Sequence, residues 1–198
     1  MTIPLTAISF TIGLIIALFT ALVQTAKIPV LRRLARFYVW IIRGTPMIVQ
    51  LFVVYFGLPS IGILLDSFTS ALIVFSVSVG AYCSETVRAA IESVPEGQME
   101  AGYCVGMNYW QIMRRIIIPQ ALRMAFPPLS NSLIGLVKDT SLAYSVAIVE
   151  IMATAQRIAS RTYDYFWLYM EAALVYLIFC TVLQWLQRYL ERKLAEKR

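Results

Sequence analysis

The sequence predicts an all-α integral membrane protein with about five transmembrane helices, and three observations carry that expectation. Of its 198 residues 60% are hydrophobic and 14% charged, with a mean hydropathy of +0.73; a soluble domain has roughly 45–50% apolar and about 25% charged residues. The apolar residues fall in uncharged runs long enough to cross ~30 Å of hydrocarbon at ~1.5 Å per residue. The lysines and arginines gather between those runs, mostly on one side. Histidine is absent, so the commonest general base and metal ligand is missing, which disfavours zinc chemistry and Ser-His triads. Cys83, Cys104 and Cys180 are odd in number and scattered, as buried free thiols are, with no disulfide framework or metal spacing.

The elements follow in order. Met1 to Ala26 holds no charge, and the first span covers residues 3–23. A cleaved signal peptide is the rival reading, but the basic leading region is missing and the apolar part runs too far before Lys27. The second span is placed at 38–57, led in from the membrane surface by the apolar-basic stretch Leu34 to Arg43 and closed by the turn residues Gly57, Pro59 and Gly62. The third, 67–87, is expected to run on as helix through Glu85, Arg88 and Glu92. Residues 93–120 form the one sizeable polar loop, with Gly97, Gly102, Gly106 and a proline near each end, Pro95 and Pro119. The fourth span, 121–149, is interrupted by Arg123, Pro127-Pro128, Gly135 and Lys138-Asp139, and a break midway is expected. Phe166 to Gln187 carries one charge, Glu171, and gives the fifth span at 165–187, before a basic tail. Residues 1–198 thus form a single transmembrane domain.

Five spans put the termini on opposite sides. Segments 24–37, 88–120 and the tail from Arg188 hold twelve Lys and Arg, whereas the opposite loops, 58–67 and 150–164, hold only Arg157 and Arg161. The positive-inside rule then predicts the N-terminus outside, and the 93–120 loop and C-terminus in the cytoplasm. Tyr38 and Trp40, and Tyr163, Tyr165, Phe166 and Trp167, fit interfacial belts. No repeat, direct or inverted, is visible, which weighs against a carrier built from two inverted halves. Five spans are few to enclose a solute path, so a dimer is inferred.

The polar loop is the most distinctive stretch. Pro95 suits a helix start, Glu96 and Glu100 suit its positive end, and Gly106 is placed to stop it. Asn108 is able to cap a second helix, with Gln111 three residues on. A solvated surface helix between two spans accounts for the same pattern. Glu100-Ala101-Gly102, then Gly106, Ile116, Ile118 and Pro119, resemble the E-A-A-x3-G-x9-I-x-L-P signature of the permease subunits of bacterial ATP-binding-cassette importers. Gly102 stands where that family usually has its second alanine, and Ile118 where it has leucine. Arg43-Gly44-Thr45-Pro46 with Gln50, Ala81-Tyr82 with Glu85 and Arg88-Ala89, Gly97-Gln98, and Lys138-Asp139-Thr140-Ser141 resemble its polar-amino-acid branch (histidine, arginine, glutamine and cystine type). The likeness covers essentially the whole chain, although family members usually carry a further stretch ahead of the first span.

That resemblance implies the type I importer permease fold and residues 96–107 as a coupling helix that docks on an ATPase subunit. The physics is compatible: a small-residue face at Ala101, Gly102 and Gly106 permits close approach, and Glu100 is able to accept hydrogen bonds. Pro119 marks the return to the membrane, and Arg114 and Arg115 fit the headgroup boundary. Asp139 is an ionisable group in a membrane segment, a site hypothesis by default, and the resemblance places it at the substrate cavity; a position near the interface, or a pairing with other residues, is the alternative. Thr140, Ser141, Gln50 and Tyr55 would offer hydroxyl, amide and aromatic surface to a small polar solute, or equally make helix-helix hydrogen bonds. Glu85 and Arg88 suffice as an i,i+3 ion pair. Arg43 is suited either to snorkelling or to bracing a dimer.

No phosphate-binding loop, arginine stripe or ion filter occurs. The expected protein is therefore not an enzyme. It is a permease subunit for polar amino acids in a bacterial plasma membrane, with no catalytic or metal residues and no cofactor of its own. Its implied partners are ATPase subunits that hold ATP and Mg, a second permease copy, an extracytoplasmic solute-binding protein and the bilayer, with no role for nucleic acid. An ATP-independent carrier or channel using Asp139 as its ion or substrate site is the second class; a membrane enzyme is disfavoured by the missing histidines.

Overall fold

The computed structural model describes residues 1–25 and 28–195, and these are helical throughout their ordered elements. Among the described residues, three helices are long and apolar enough to cross a membrane: α1 (Thr2–Thr25), α4 (Ser67–Glu92) and α9 (Tyr165–Ala195), whose most apolar parts have mean hydropathies of 2.3, 1.5 and 1.9. Two bent pairs pass the same test together, giving up to five spans.

α1 and α4 form the spine and run in the same direction, with Gly13 against Val79 and Gln24 against Glu85. Leu5, Ala17, Val74, Phe75 and Val79 are buried between them. Close approach depends on small residues: a Cβ on Gly13 would lie 2.5 Å from Val79, and one on Gly80 would lie 2.5 Å from Ile16 and 2.8 Å from the Tyr38 hydroxyl. Tyr38 donates to the Val77 carbonyl at 2.6 Å, which ties α2 (Pro29–Gly44) to α4.

The second span is not the continuous helix expected over 38–57. α2 ends at Gly44, and the chain turns by 103° before it resumes as α3 (Met47–Phe52) and the tighter and looser turns up to Ile61. Pro46 explains the break: it has no N–H to donate, and it holds Thr45 in an extended conformation (φ −120°, ψ 142°). α2 buries only Ala35 and Val39 and exposes Arg32, Arg33 and Arg36 together with Leu34, Phe37 and Trp40, the make-up of a helix lying in the membrane interface. α4 runs to Glu92 as expected, with Arg88 paired to Glu85 at 2.7 Å and to Glu92 at 2.6 Å.

The fourth span also departs from expectation. α7 (Ile118–Asp139) passes through Pro127 and Pro128 and breaks only at Thr140, where a 3-10 stretch (Thr140–Val146) leads to Ala147 with φ +63°. Proline fixes φ at a helical value, so the pair removes two bonds without redirecting the chain, and α9 supplies Gln187 as a donor to the Pro127 carbonyl at 3.5 Å. Residues 150–164, expected as a loop, contain α8 (Ile151–Thr162). Glu150 caps it by accepting from the Ala153 N–H at 2.6 Å, and Ala155 and Ala159 are buried. α8 lies antiparallel on α9, tied by Tyr176 to Glu150 at 2.6 Å and by Tyr169 to Gln156.

α7 runs antiparallel to α4 and α9, so Thr25, Glu92, residues 93–117 and the end of α9 share one end of the bundle. Of the cations counted in the sequence, Lys27, Lys197 and Arg198 lie outside the described residues.

Candidate functional site: a membrane cavity and an exposed helical loop

Asp139 is half-buried at the end of α7. It opens on a cavity of about 330 Å³ lined by Met47 of α3, by Ser78, Tyr82 and Cys83 of α4 and by Ser132 and Gly135 of α7. Among the described residues no cation lies within ion-pair distance of its carboxylate, and the neighbouring Lys138, which is exposed, acts on it only at longer range. A carboxylate with no direct ion pair in such a place is suited to attract a cationic solute group. Gly135 meets nothing within 4 Å where its Cβ would be, which keeps this wall open. Ser78, Ser132 and Tyr82, absent from the sequence-based set, supply hydroxyls here; only the packing of α4 against α7 brings them together.

The other pathway candidates sit elsewhere. Gln50 turns back on the bend and donates to the carbonyls of Ile42 (2.8 Å) and Thr45 (3.1 Å) and to the Thr45 hydroxyl (2.9 Å). The Tyr55 hydroxyl accepts from Ser67 at 3.3 Å. Thr140 is fully buried and donates to the Val137 carbonyl at 2.7 Å, and Ser141 follows it in the 3-10 stretch, off the lining of this cavity. A larger cavity of about 480 Å³ lies among α1, α8 and α9 beside Glu150 and Glu171. The Glu150 carboxylate there already accepts from Ala153 and Tyr176.

At the opposite end, the polar loop forms a helix-turn-helix. α5 (Glu96–Cys104) follows Pro95, Gly106 turns the chain at φ +78°, and α6 (Tyr109–Ile112) starts from Asn108. Asn108 and Gln111 make the reciprocal bonds of a capping box, at 3.0 and 2.9 Å. α6 runs through a wide turn (Met113–Ile117) into α7, with Pro119 in its first turn. Glu100, Ala101 and Gly106 are exposed, but Gly102 is not part of that face. It is buried against Ile112, 2.6 Å from where its Cβ would stand, so the glycine serves packing of α5 on α6. The outward surface is apolar, with Val105 75% and Trp110 80% exposed, beside Tyr103 and Tyr109. Sequence reasoning passed over these four; their placement around a glycine turn in a polar loop was the available signal. The base is sunk in a second core of Ala90, Val94, Ile112, Ile117, Ala121 and Ala125, and Leu129 packs on both this core and the one around Phe75.

Residues 7–196 match the family model described as "Binding-protein-dependent transport system inner membrane component". The chain belongs to this family. The permease is 48% identical to the L-cystine transport system permease protein TcyB of Bacillus subtilis (strain 168), over 98% of its own length and 83% of that protein. It is 38% identical to the putative glutamine transport system permease protein GlnP of Rickettsia bellii (strain RML369-C), over 98% and 89%. Its fold superposes with a TM-score of 0.93 on a chain of an amino acid ABC transporter crystallised with histidines, at 34% identity over 98% and 90% of the two chains. The MetNI methionine ABC transporter shares the fold at a TM-score of 0.76 and 20% identity. The permease is thus a multi-pass membrane subunit of an ABC importer, a transport component and not an enzyme. An ATP-independent carrier finds no counterpart among these relatives.

Proposed function

We propose that the permease forms the pathway for a polar amino acid and is driven through residues 96–112. The observation that carries this reading is the shape of the loop: an exposed apolar tip at Val105 and Trp110 on a base packed continuously into α4 and α7. Those two helices line the Asp139 cavity, α4 from its middle and α7 from its far end. A push on the tip is therefore delivered to both walls of the cavity, turning it between the two faces of the membrane. ATP and Mg belong to the partner ATPase, against which Glu100, Ala101 and Gly106 would lie; Gly102 would shape the tip from within and Pro119 would join it to α7. A second permease copy completes the pathway, and an extracytoplasmic solute-binding protein delivers the solute.

Asp139 would hold the α-ammonium or a cationic side chain; Ser141, off the cavity lining, would contribute only further along the path, and Thr140, Gln50 and Tyr55 would shape it through the helix bonds described above. The loop end faces the cytoplasm and the N-terminus the outside, in keeping with the Lys and Arg distribution. The names of the relatives, cystine and glutamine permeases, support a polar amino acid.

The test is to purify the chain from its host, identify co-purifying chains, and assay ATP hydrolysis against a panel of amino acids with binding protein added. An ATPase partner and stimulation by one amino acid are expected. Recovery of the chain alone, with solute uptake into vesicles lacking ATP, would overturn the reading.

A further inference from the structure

α1, α2 and α4 enclose a second polar pocket of about 320 Å³ at the loop end, separate from the Asp139 cavity. Arg36, Trp40 and Arg43 of α2 line it on one side, with Gln24 of α1 and Glu85 and Arg88 of α4 opposite. Its guanidinium groups outnumber its carboxylates three to one. Arg88 is already engaged with Glu85 and Glu92. Arg36 and Arg43 have no carboxylate within ion-pair distance among the described residues; Arg43 lies over the Tyr82 ring, 5.3 Å from its centre. Gln24 is buried and holds Glu85 at 3.0 Å, which fixes the floor and keeps the one carboxylate turned toward Arg88. Glu85 attracts Arg43 at longer range, but neither Arg36 nor Arg43 is paired with it, so two guanidinium groups are left to face an anion.

We propose that this pocket binds the phosphate of an anionic phospholipid. Guanidinium forks match phosphate oxygens in geometry as well as charge, and basic pockets between membrane helices on the cytoplasmic side take anionic headgroups. The lipid source is favoured over a soluble phosphate by the rim: Trp40 borders the pocket and is 69% exposed, and Phe37 and Leu34 continue an exposed apolar face along α2 on which acyl chains can lie. The bound headgroup would fix α2 in the plane of the interface, directly before the bend at Thr45-Pro46. The proposal rests on the orientation given above, but its readout is lipid binding, which does not depend on transport or its direction.

The experiment is native mass spectrometry of the purified full assembly, titrated with dioleoyl phosphatidylglycerol or dioleoyl phosphatidylcholine. Wild type is compared with Arg36→Gln/Arg43→Gln and with the control Arg192→Gln/Lys193→Gln, each checked for an unchanged melting temperature. Phosphatidylglycerol adducts are expected on wild type and control and to fall at least about tenfold in the Arg36/Arg43 variant, with phosphatidylcholine weak throughout. Equal retention of phosphatidylglycerol by the variant, or no preference over phosphatidylcholine, would overturn the site. Displacement of the lipid by millimolar inorganic phosphate or glycerol phosphate alone would overturn the lipid assignment in favour of a soluble anion. If the double variant melts early, the single Arg36→Lys, which keeps charge and loses the fork, decides: a partial loss of adducts supports the site and no loss overturns it.

Discussion

At the scale of single residues, the glycines separate roles that composition cannot. Gly80 is the point where α1, α2 and α4 meet, so Gly80→Ala should lower stability by ~1–3 kcal/mol, read as a fall in the melting temperature of the detergent-solubilised protein. Gly135→Ala, with open space at the same atom, should leave melting nearly unchanged and instead weaken transport by narrowing the Asp139 cavity. Asp139→Asn keeps the volume and removes the charge; uptake is expected to fall at least about tenfold, equivalent to ~1.4 kcal/mol, with normal membrane insertion. Uptake at the wild-type rate would remove Asp139 from the pathway. Asp66 shows a simpler electrostatic effect. The Thr69 hydroxyl and N–H hold its carboxylate below the usual carboxylate value of 3.8. A lowered folded value means that the cap's contribution to α4 is fully present above the ordinary value of 3.8 and is lost as pH falls from there through the lowered one.

At the scale of elements, the helix-turn-helix of residues 96–112 is the most economical test. Asn108→Ala removes one half of the capping box and should destabilise the loop by ~1 kcal/mol, seen as faster amide exchange in α6 and weaker ATPase stimulation by solute. Gly106→Pro should abolish transport outright, because φ +78° is closed to proline. This element was legible in the sequence because its signals are local: a proline, a glycine and a capping pair at fixed offsets. α1, α4 and α9 were legible for the related reason that uninterrupted apolar length is itself the signal. The bends were not. Thr45-Pro46 breaks its span whereas Pro127-Pro128 does not, and the difference lies in what surrounds each pair. α7 is held on two sides by α4 and α9, while α2 leaves the bundle for the interface. α8 was missed because it is short and only moderately apolar, and its helical face becomes apparent only against α9. The cavity had one legible residue, Asp139; Ser78, Tyr82 and Ser132 come from packing between distant segments.

At the scale of the whole molecule, cysteine chemistry checks the orientation. Cys104 is exposed on α5 while Cys83 and Cys180 are buried. A membrane-impermeant maleimide should therefore label the chain once, at Cys104, in inside-out vesicles stripped of the ATPase, and not in right-side-out vesicles. Labelling only in right-side-out vesicles would reverse the topology. The two cores, one around Phe75 and one around Ile112, are joined through Leu129, and α4 runs through both. Leu129→Ala should uncouple ATP hydrolysis from uptake while both parts remain folded, so the ratio of solute carried to ATP consumed is the quantity to measure.

α9 is attached quite differently. Only 11% of its most apolar stretch is buried, and side-chain hydrogen bonds fix it at Tyr169, Tyr176 and Gln187. Under mutation over long periods, most of this helix is therefore free to exchange one oily residue for another, constrained only by the need to stay soluble in lipid. Those three positions, about two turns or more apart, are where substitution should be tolerated least.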